Sequence, residues 1–167
     1  MVNKKRMAEQ LELHEGVQLR VYQDTLGNDT LGIGYNVAAR TLAEFEKTVK
    51  HPIDRTADPC ITLAEARKQL AVDIVRVEKA VTFSYPGYET LNEVRQRVMI
   101  DLAFNLGLGL LTFKNFLAAV KARDWSKAAK ELFKSKWAYQ VDDGPGRHFG
   151  RADRLAKMIL TGEDYAS

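Results

Sequence analysis

One cysteine, Cys60, stands in 167 residues, so no disulfide can form within the chain, and burial and hydrogen bonding alone must hold the fold. Histidine is nearly as scarce. His14, His51 and His148 share no metal-ligand spacing with one another or with Cys60, and no metal centre is expected. No window approaches the roughly 18–20 apolar residues of a bilayer span. The start, MVNKKRMAEQLELHEG, is basic but lacks the apolar run of a signal peptide, so folding in a reducing cytosol is expected. Gly32-Ile33-Gly34 does not extend into G-x-G-x-x-G, and no strand–helix–strand unit surrounds it, so no dinucleotide and no other cofactor is expected. Repeats and low-complexity tracts are missing as well.

What is present is an ordinary globular mixture, 46% hydrophobic and 28% charged, long enough to bury a real core. The net charge of +3 is uneven. Residues 1–60 carry 8 Lys/Arg against 9 Asp/Glu, and residues 61–167 carry 17 against 13. That bias suits a polyanionic partner, although Lys127, Lys130, Lys134 and Lys136 also read as an ordinary solvated helix face.

The periodicity divides the chain. Residues 4–14 read as a helix with Met7, Leu11 and His14 on one face and Gly16 beyond its end. VQLRVYQ, 17–23, alternates like a strand. A turn at Gly27-Asn28 leads to a second strand over 30–35, and a short third is expected at 36–38. Residues 41–49 look helical, and HPIDRTADPC is a loop. Thr62 opens the strongest signal. TLAE is a capping box, and Leu63, Ala66, Leu70, Ile74 (or Asp73), Val77 and Val81 recur at helical spacing up to Tyr85-Pro86-Gly87. Further helices are expected near 89–106, 113–122, 125–134 with Asp124 as N-cap, and 151–161. The fold class is therefore α+β and mostly helical. It comprises a small β lobe over about 15–60, a connecting helix over about 62–82, and a larger helical lobe over about 83–162 that helix 4–14 joins. Trp125, Trp137, Phe113 and Phe116 sit at core spacing on these helices.

The chemistry concentrates in HEGVQLRVYQDTLGNDTLGIGY, residues 14–35. Glu15 falls at the end of a helix, where the partial negative charge of the last carbonyls disfavours a second negative charge, and where Lys or Arg would be the ordinary choice. A carboxyl so placed suits a general acid. Asp24 and Thr30 flank the Gly27-Asn28 turn, so a hairpin brings an ionised carboxylate and a hydroxyl together, able to hold a water. Two carboxylates in these roles are what glycoside hydrolysis requires. On spacing alone, solvated acids on a hairpin are the ordinary reading of the pattern.

The same residues resemble the active-site stretch of the T4-type phage lysozymes, family 24 of the glycoside hydrolases. Glu15-Gly16, Asp24-Thr25-Leu26-Gly27 and Thr30-Leu31-Gly32-Ile33-Gly34 stand at that family's spacing. RQRVMIDLAFNLGLGLLTFKNFL, DWSKAAKELFKSKWAYQ and GRADRLAKMILTG are similar to its later helices, so the likeness covers about residues 5–162. It implies a lysozyme-like two-lobe fold and hydrolysis, with inversion, of the β-1,4 bond between N-acetylmuramic acid and N-acetylglucosamine in peptidoglycan. By position Glu15 would be the general acid, and Asp24 and Thr30 would place the attacking water. Tyr35, Asn36, Phe104, Asn105, Phe116, Glu131 and Arg151 would meet substrate or support the site. An Arg151–Glu15 ion pair would act on Glu15 in the opposite direction to the helix end. Asn105 stands where Gln is found in the family's best-known member. Tyr35 replaces the family's usual His, so no His-mediated ion pair can form there, and the loop 141–150 is longer than in the shortest members.

The resemblance further implies a monomeric endolysin without cofactor or metal. Such a protein collects in host cytoplasm and reaches the wall in the periplasm once a separate holin has opened the membrane. A lytic transglycosylase acting on the same bond is the nearest alternative, but it needs no held water and so gives Asp24 and Thr30 no task. A non-catalytic wall-binding module is a second alternative. Nucleic-acid binding by the basic second part is a third, without a base-reading motif to support it.

Overall fold

In the computed structural model the chain is described over residues 2–24, 27–141 and 150–165. Thr25 and Leu26 of the D-T-x-G motif, His148, and residues 142–149 of the expected loop lie outside these. The architecture is α+β and mostly helical, as the sequence indicates. The order is α1 (Lys4–Glu15), β1 (Gln18–Gln23), β2 (Asp29–Gly32), β3 (Tyr35–Asn36), α2 (Leu42–Val49), α3 (Leu63–Ser84), α4 (Glu93–Leu106), α5 (Lys114–Lys121), α6 (Trp125–Phe133), α7 (Lys136–Val141) and α8 (Arg151–Thr161). Two compact units emerge. One is residues 4–76; the other runs from Val77 onward and includes Val2 and Asn3, so α3 belongs to both.

In the first unit, α1 buries Met7 and Leu11 completely and ends where the Gly16 N–H donates to the Glu12 carbonyl at 3.1 Å. The sheet is antiparallel in the order β1-β2-β3. The second strand is shorter than its pattern suggests. Gly32 and Gly34 both take positive φ, +68° and +65°, so the backbone turns at Ile33-Gly34 and Tyr35 opens β3 instead of closing β2. The strict alternation expected in β1 also fails. Its pairing with β2 slips between Gln18, opposite Gly32, and Tyr22, opposite Thr30. That bulge leaves Val21 and Tyr22 both half-buried.

The capping box forms as read. The Thr62 N–H donates to Glu65 Oε2 at 2.8 Å, and the Glu65 N–H donates to Thr62 Oγ1 at 3.3 Å. Behind it Ala66, Leu70, Ile74, Val77 and Val81 are buried. Glu65 also pairs with the exposed His51. The hydrogen bond from His51, followed by that from the Thr62 amide, holds the Glu65 carboxyl down to about 2, while Glu65 raises the His51 imidazole. The stabilisation from Glu65 is present above its unfolded pKa of about 4.3 and is lost as pH falls toward 2; that from His51 is present below about 6.5 and is lost as pH rises through its raised value. The melting difference between the parent and His51→Gln should therefore be largest near pH 5–6 and narrow on either side. Thermal melts across pH 3–8.5 check this; a flat difference would remove the pair from the stability of the fold.

The second unit is helical. Asn92 caps α4 by accepting from the Arg95 N–H, which is why that helix starts at Glu93 and not near 89; a short 3-10 turn over Tyr88–Thr90 precedes it. Asp124 caps α6 as expected, accepting from the Lys127 N–H at 2.9 Å. α4 is the core element, with Val98, Met99, Ile100 and Leu102 fully buried. α6 packs against α5 and α8, and Ala128 and Leu132 of α6 and Leu155 and Ile159 of α8 are fully buried. The six-residue α7 is absent from the sequence reading, being too short to show a period.

Candidate active site

Each compact unit carries part of the residue set named from sequence. In the first, Glu15 is the last residue of α1, half-buried, with Oε1 withdrawn from solvent. The helix end that carries it is fixed from α3. Arg67 donates to both Glu12 oxygens, Nη2 to Oε1 at 2.7 Å and Nε to Oε2 at 2.9 Å. That hydrogen bonding holds the Glu12 carboxyl below its ordinary range.

Asp24 follows β1 and closes the turn to β2. Its N–H donates to the Asn28 carbonyl at 2.9 Å, and its Oδ1 accepts the Asn28 N–H at 2.8 Å. Thr30 is 4% exposed, and its hydroxyl donates to the same Asn28 carbonyl at 3.2 Å. Thr30 lies opposite Tyr22 of β1 and opposite Asn36 of β3, so the three side chains share one face of the sheet. The Tyr22 phenol is pushed up by burial, then by the charge of Glu15, then by that of Asp24. Both carboxylates therefore bear on one ring, and Thr30 lies across the strand from it. The sequence reading did not single out Tyr22; its only signal was its place two residues before Asp24.

Tyr35 is a core residue, 1% exposed, with its hydroxyl donating to the Thr41 carbonyl at 2.8 Å and its ring edge-on to Phe45 at 5.0 Å. Burial raises its phenol. Asn36 uses Oδ1 to accept the Ala39 N–H at 2.8 Å, which shapes the exit from β3.

In the second unit Phe104 and Asn105 occupy the last turn of α4. The Trp137 indole donates to Asn105 Oδ1 at 2.9 Å, so the oxygen of that exposed amide is taken up within the protein. Phe116 and Glu131 line an open cavity of about 530 Å³ together with Trp137, Lys114, Lys134 and Lys136. Phe116 is itself 1% exposed. Arg151 is buried against Asp101, which the sequence reading passed over: Nε donates to Oδ1 at 2.8 Å and Nη2 to the Asp101 carbonyl at 3.3 Å.

A carboxylate at a helix end and an Asp–Thr pair on a glycine-rich hairpin, in a mainly helical α+β chain, are an arrangement that suits glycoside hydrolysis. The comparisons with known proteins agree. The phage lysozyme family model matches residues 12–151. The chain is 33% identical over 166 residues to the pre-baseplate central spike protein of Enterobacteria phage T4; the match takes in 93% of this chain but only 28% of the spike protein. It is 30% identical over 164 residues to probable T4-type lysozyme 1 of Dictyostelium discoideum, covering 91% of this chain and 92% of that protein. Probable T4-type lysozyme 2 of the same organism is 29% identical over 170 residues, covering 93% and 94%. The chain belongs to the phage lysozyme family.

Proposed function

We propose that this lysozyme hydrolyses the β-1,4 bond between N-acetylmuramic acid and N-acetylglucosamine of bacterial peptidoglycan with inversion, through Glu15, Asp24 and Thr30. Glu15 donates its proton to the leaving glycosidic oxygen, and Asp24 with Thr30 holds the water that attacks C1 from the opposite face. The observation that supports this most is the shared use of Asn28. The Thr30 hydroxyl gives its proton to the Asn28 carbonyl, so toward a water it offers lone pairs, as Asp24 does. A water between them donates one hydrogen to each and leaves its own lone pair for attack. Phe104, Asn105, Phe116 and Glu131 contribute contacts to the sugar chain in the helical unit, where three lysines suit an anionic polymer. The role in the cell is that of an endolysin, which crosses to the periplasm through an opening made by a holin and works as a monomer. Among the described residues no single helix is long and apolar enough to cross a membrane.

Digestion of purified peptidoglycan in H2(18)O tests the chemistry. Hydrolysis places one labelled oxygen on each new reducing end, and proton NMR during the first turnovers shows the α-anomer. Anhydro-muramic ends without label would instead assign the protein to lytic transglycosylation.

A further inference from the structure

We infer that Asn28 is a positioning residue for the hydrolytic water, holding the Asp24 carboxylate and the Thr30 hydroxyl in one fixed relation through its amide, its N–H and its carbonyl. The inference rests on the roles proposed above for Asp24 and Thr30. Three of its polar groups converge on those two residues. The backbone N–H donates to Asp24 Oδ1 at 2.8 Å. The side-chain amide donates to Asp24 Oδ1 and Oδ2 at 3.3 and 3.2 Å. The carbonyl accepts from the Asp24 N–H at 2.9 Å and from Thr30 Oγ1 at 3.2 Å.

A carboxylate just past a strand end can rotate about two side-chain bonds. The amide grips both oxygens and fixes the carboxylate plane, and the carbonyl fixes which way the threonine proton points. Donors to an ionised carboxylate also favour that form, the one a water-holding base needs. Among the described residues, Tyr22 of β1 feels the charges of both Glu15 and Asp24, and Asp29 of β2 is drawn to Arg55.

Asn28→Ala removes the amide while leaving the backbone N–H and carbonyl, and so separates the two contributions. With purified peptidoglycan fragments, kcat should fall about three- to tenfold with KM little changed, the net scale of one ordinary hydrogen bond. The acid limb of the rate profile should move up by about half to one pH unit while the basic limb stays in place. Asn28→Asp should move the acid limb further, because a carboxylate now faces Asp24, although turns accept Asp as readily as Asn. Should the Ala variant open the hairpin, the Asp variant still reports. A role confined to turn stability predicts changed melting with an unmoved acid limb in both variants, and that result would overturn the inference. Asp24→Asn run in parallel keeps the two readings apart. If it retains parental activity, the assignment of Asp24 itself is wrong; if it is inactive while both Asn28 variants keep the parental profile, only the clamp is wrong.

Discussion

Glu15→Gln is expected to leave the fold intact and to slow peptidoglycan hydrolysis by about two to four orders of magnitude, the usual contribution of a positioned proton donor. The substitution keeps the size and shape of a side chain that ends α1 with Oε1 withdrawn from solvent, so packing is preserved. What it removes is the proton: an amide in the same place has none to give to a departing sugar oxygen at ordinary pH. The loss should appear in kcat with little change in KM, because the interaction is made in the transition state. Glu12→Gln is the matching control, three residues back on the same helix. It weakens the Arg67 grip on the helix end and should lower melting temperature while retaining most of the rate. Turbidity clearing of outer-membrane-stripped cells, with circular dichroism melts of both variants, reads the two effects separately. A Glu15→Gln protein that clears cells at the parental rate would end the assignment of Glu15 as the acid.

The parts of this site legible in the sequence are those encoded locally. Glu15 could be placed at a helix end because Gly16 follows it and Met7 and Leu11 give the helix its face. The Thr62–Glu65 box and the Asp124 cap are likewise contacts between residues three apart, which a pattern of side chains reveals directly. Two separate strands were expected, but the boundary between β2 and β3 falls earlier than read, because a Gly-x-Gly can continue a weak strand or turn it, and only the backbone angles decide. The Asn28 clamp was missed for another reason. Asn-rich turns are common, and nothing in the order of residues says that an amide will fold back onto a carboxylate four positions earlier. Pairings between distant residues are harder still. Asp101 beside Arg151, 50 residues away, and Asp73 beside Arg40, 33 away, are products of packing that periodicity does not encode.

That last pair carries the largest expected effect on stability. Tyr35, beside the buried acid Asp73, has a neutral phenol that cannot supply it a cation. The structure supplies one from Arg40. Its guanidinium bonds Asp73 through Nη1 and Glu44 through Nε at 3.2 Å, and lies 4.4 Å over the Tyr35 ring. Asp73 is 2% exposed, and burial pushes its carboxyl up, against the pull of Arg40 and then Arg76. Arg40→Met keeps the length and apolar bulk over Tyr35 but leaves Asp73 with Gln69 at 3.1 Å and a solvent-exposed Arg76 at 3.9 Å. Removing one partner of a buried pair in this way should cost about 3–5 kcal/mol at pH 7. The pH dependence fixes the cause. A buried acid with a raised pKa favours the fold below its unfolded value of about 3.9, and that advantage is lost as pH rises through the folded value. The Arg40→Met deficit should therefore be smallest near pH 4 and grow toward pH 7 in urea titrations. Arg40→Met combined with Asp73→Asn should lose less than Arg40→Met alone at pH 7, since a buried amide needs no cation. Equal losses in the single and double variants, independent of pH, would mean that Arg40 acts through its packing on Tyr35 and not through its charge.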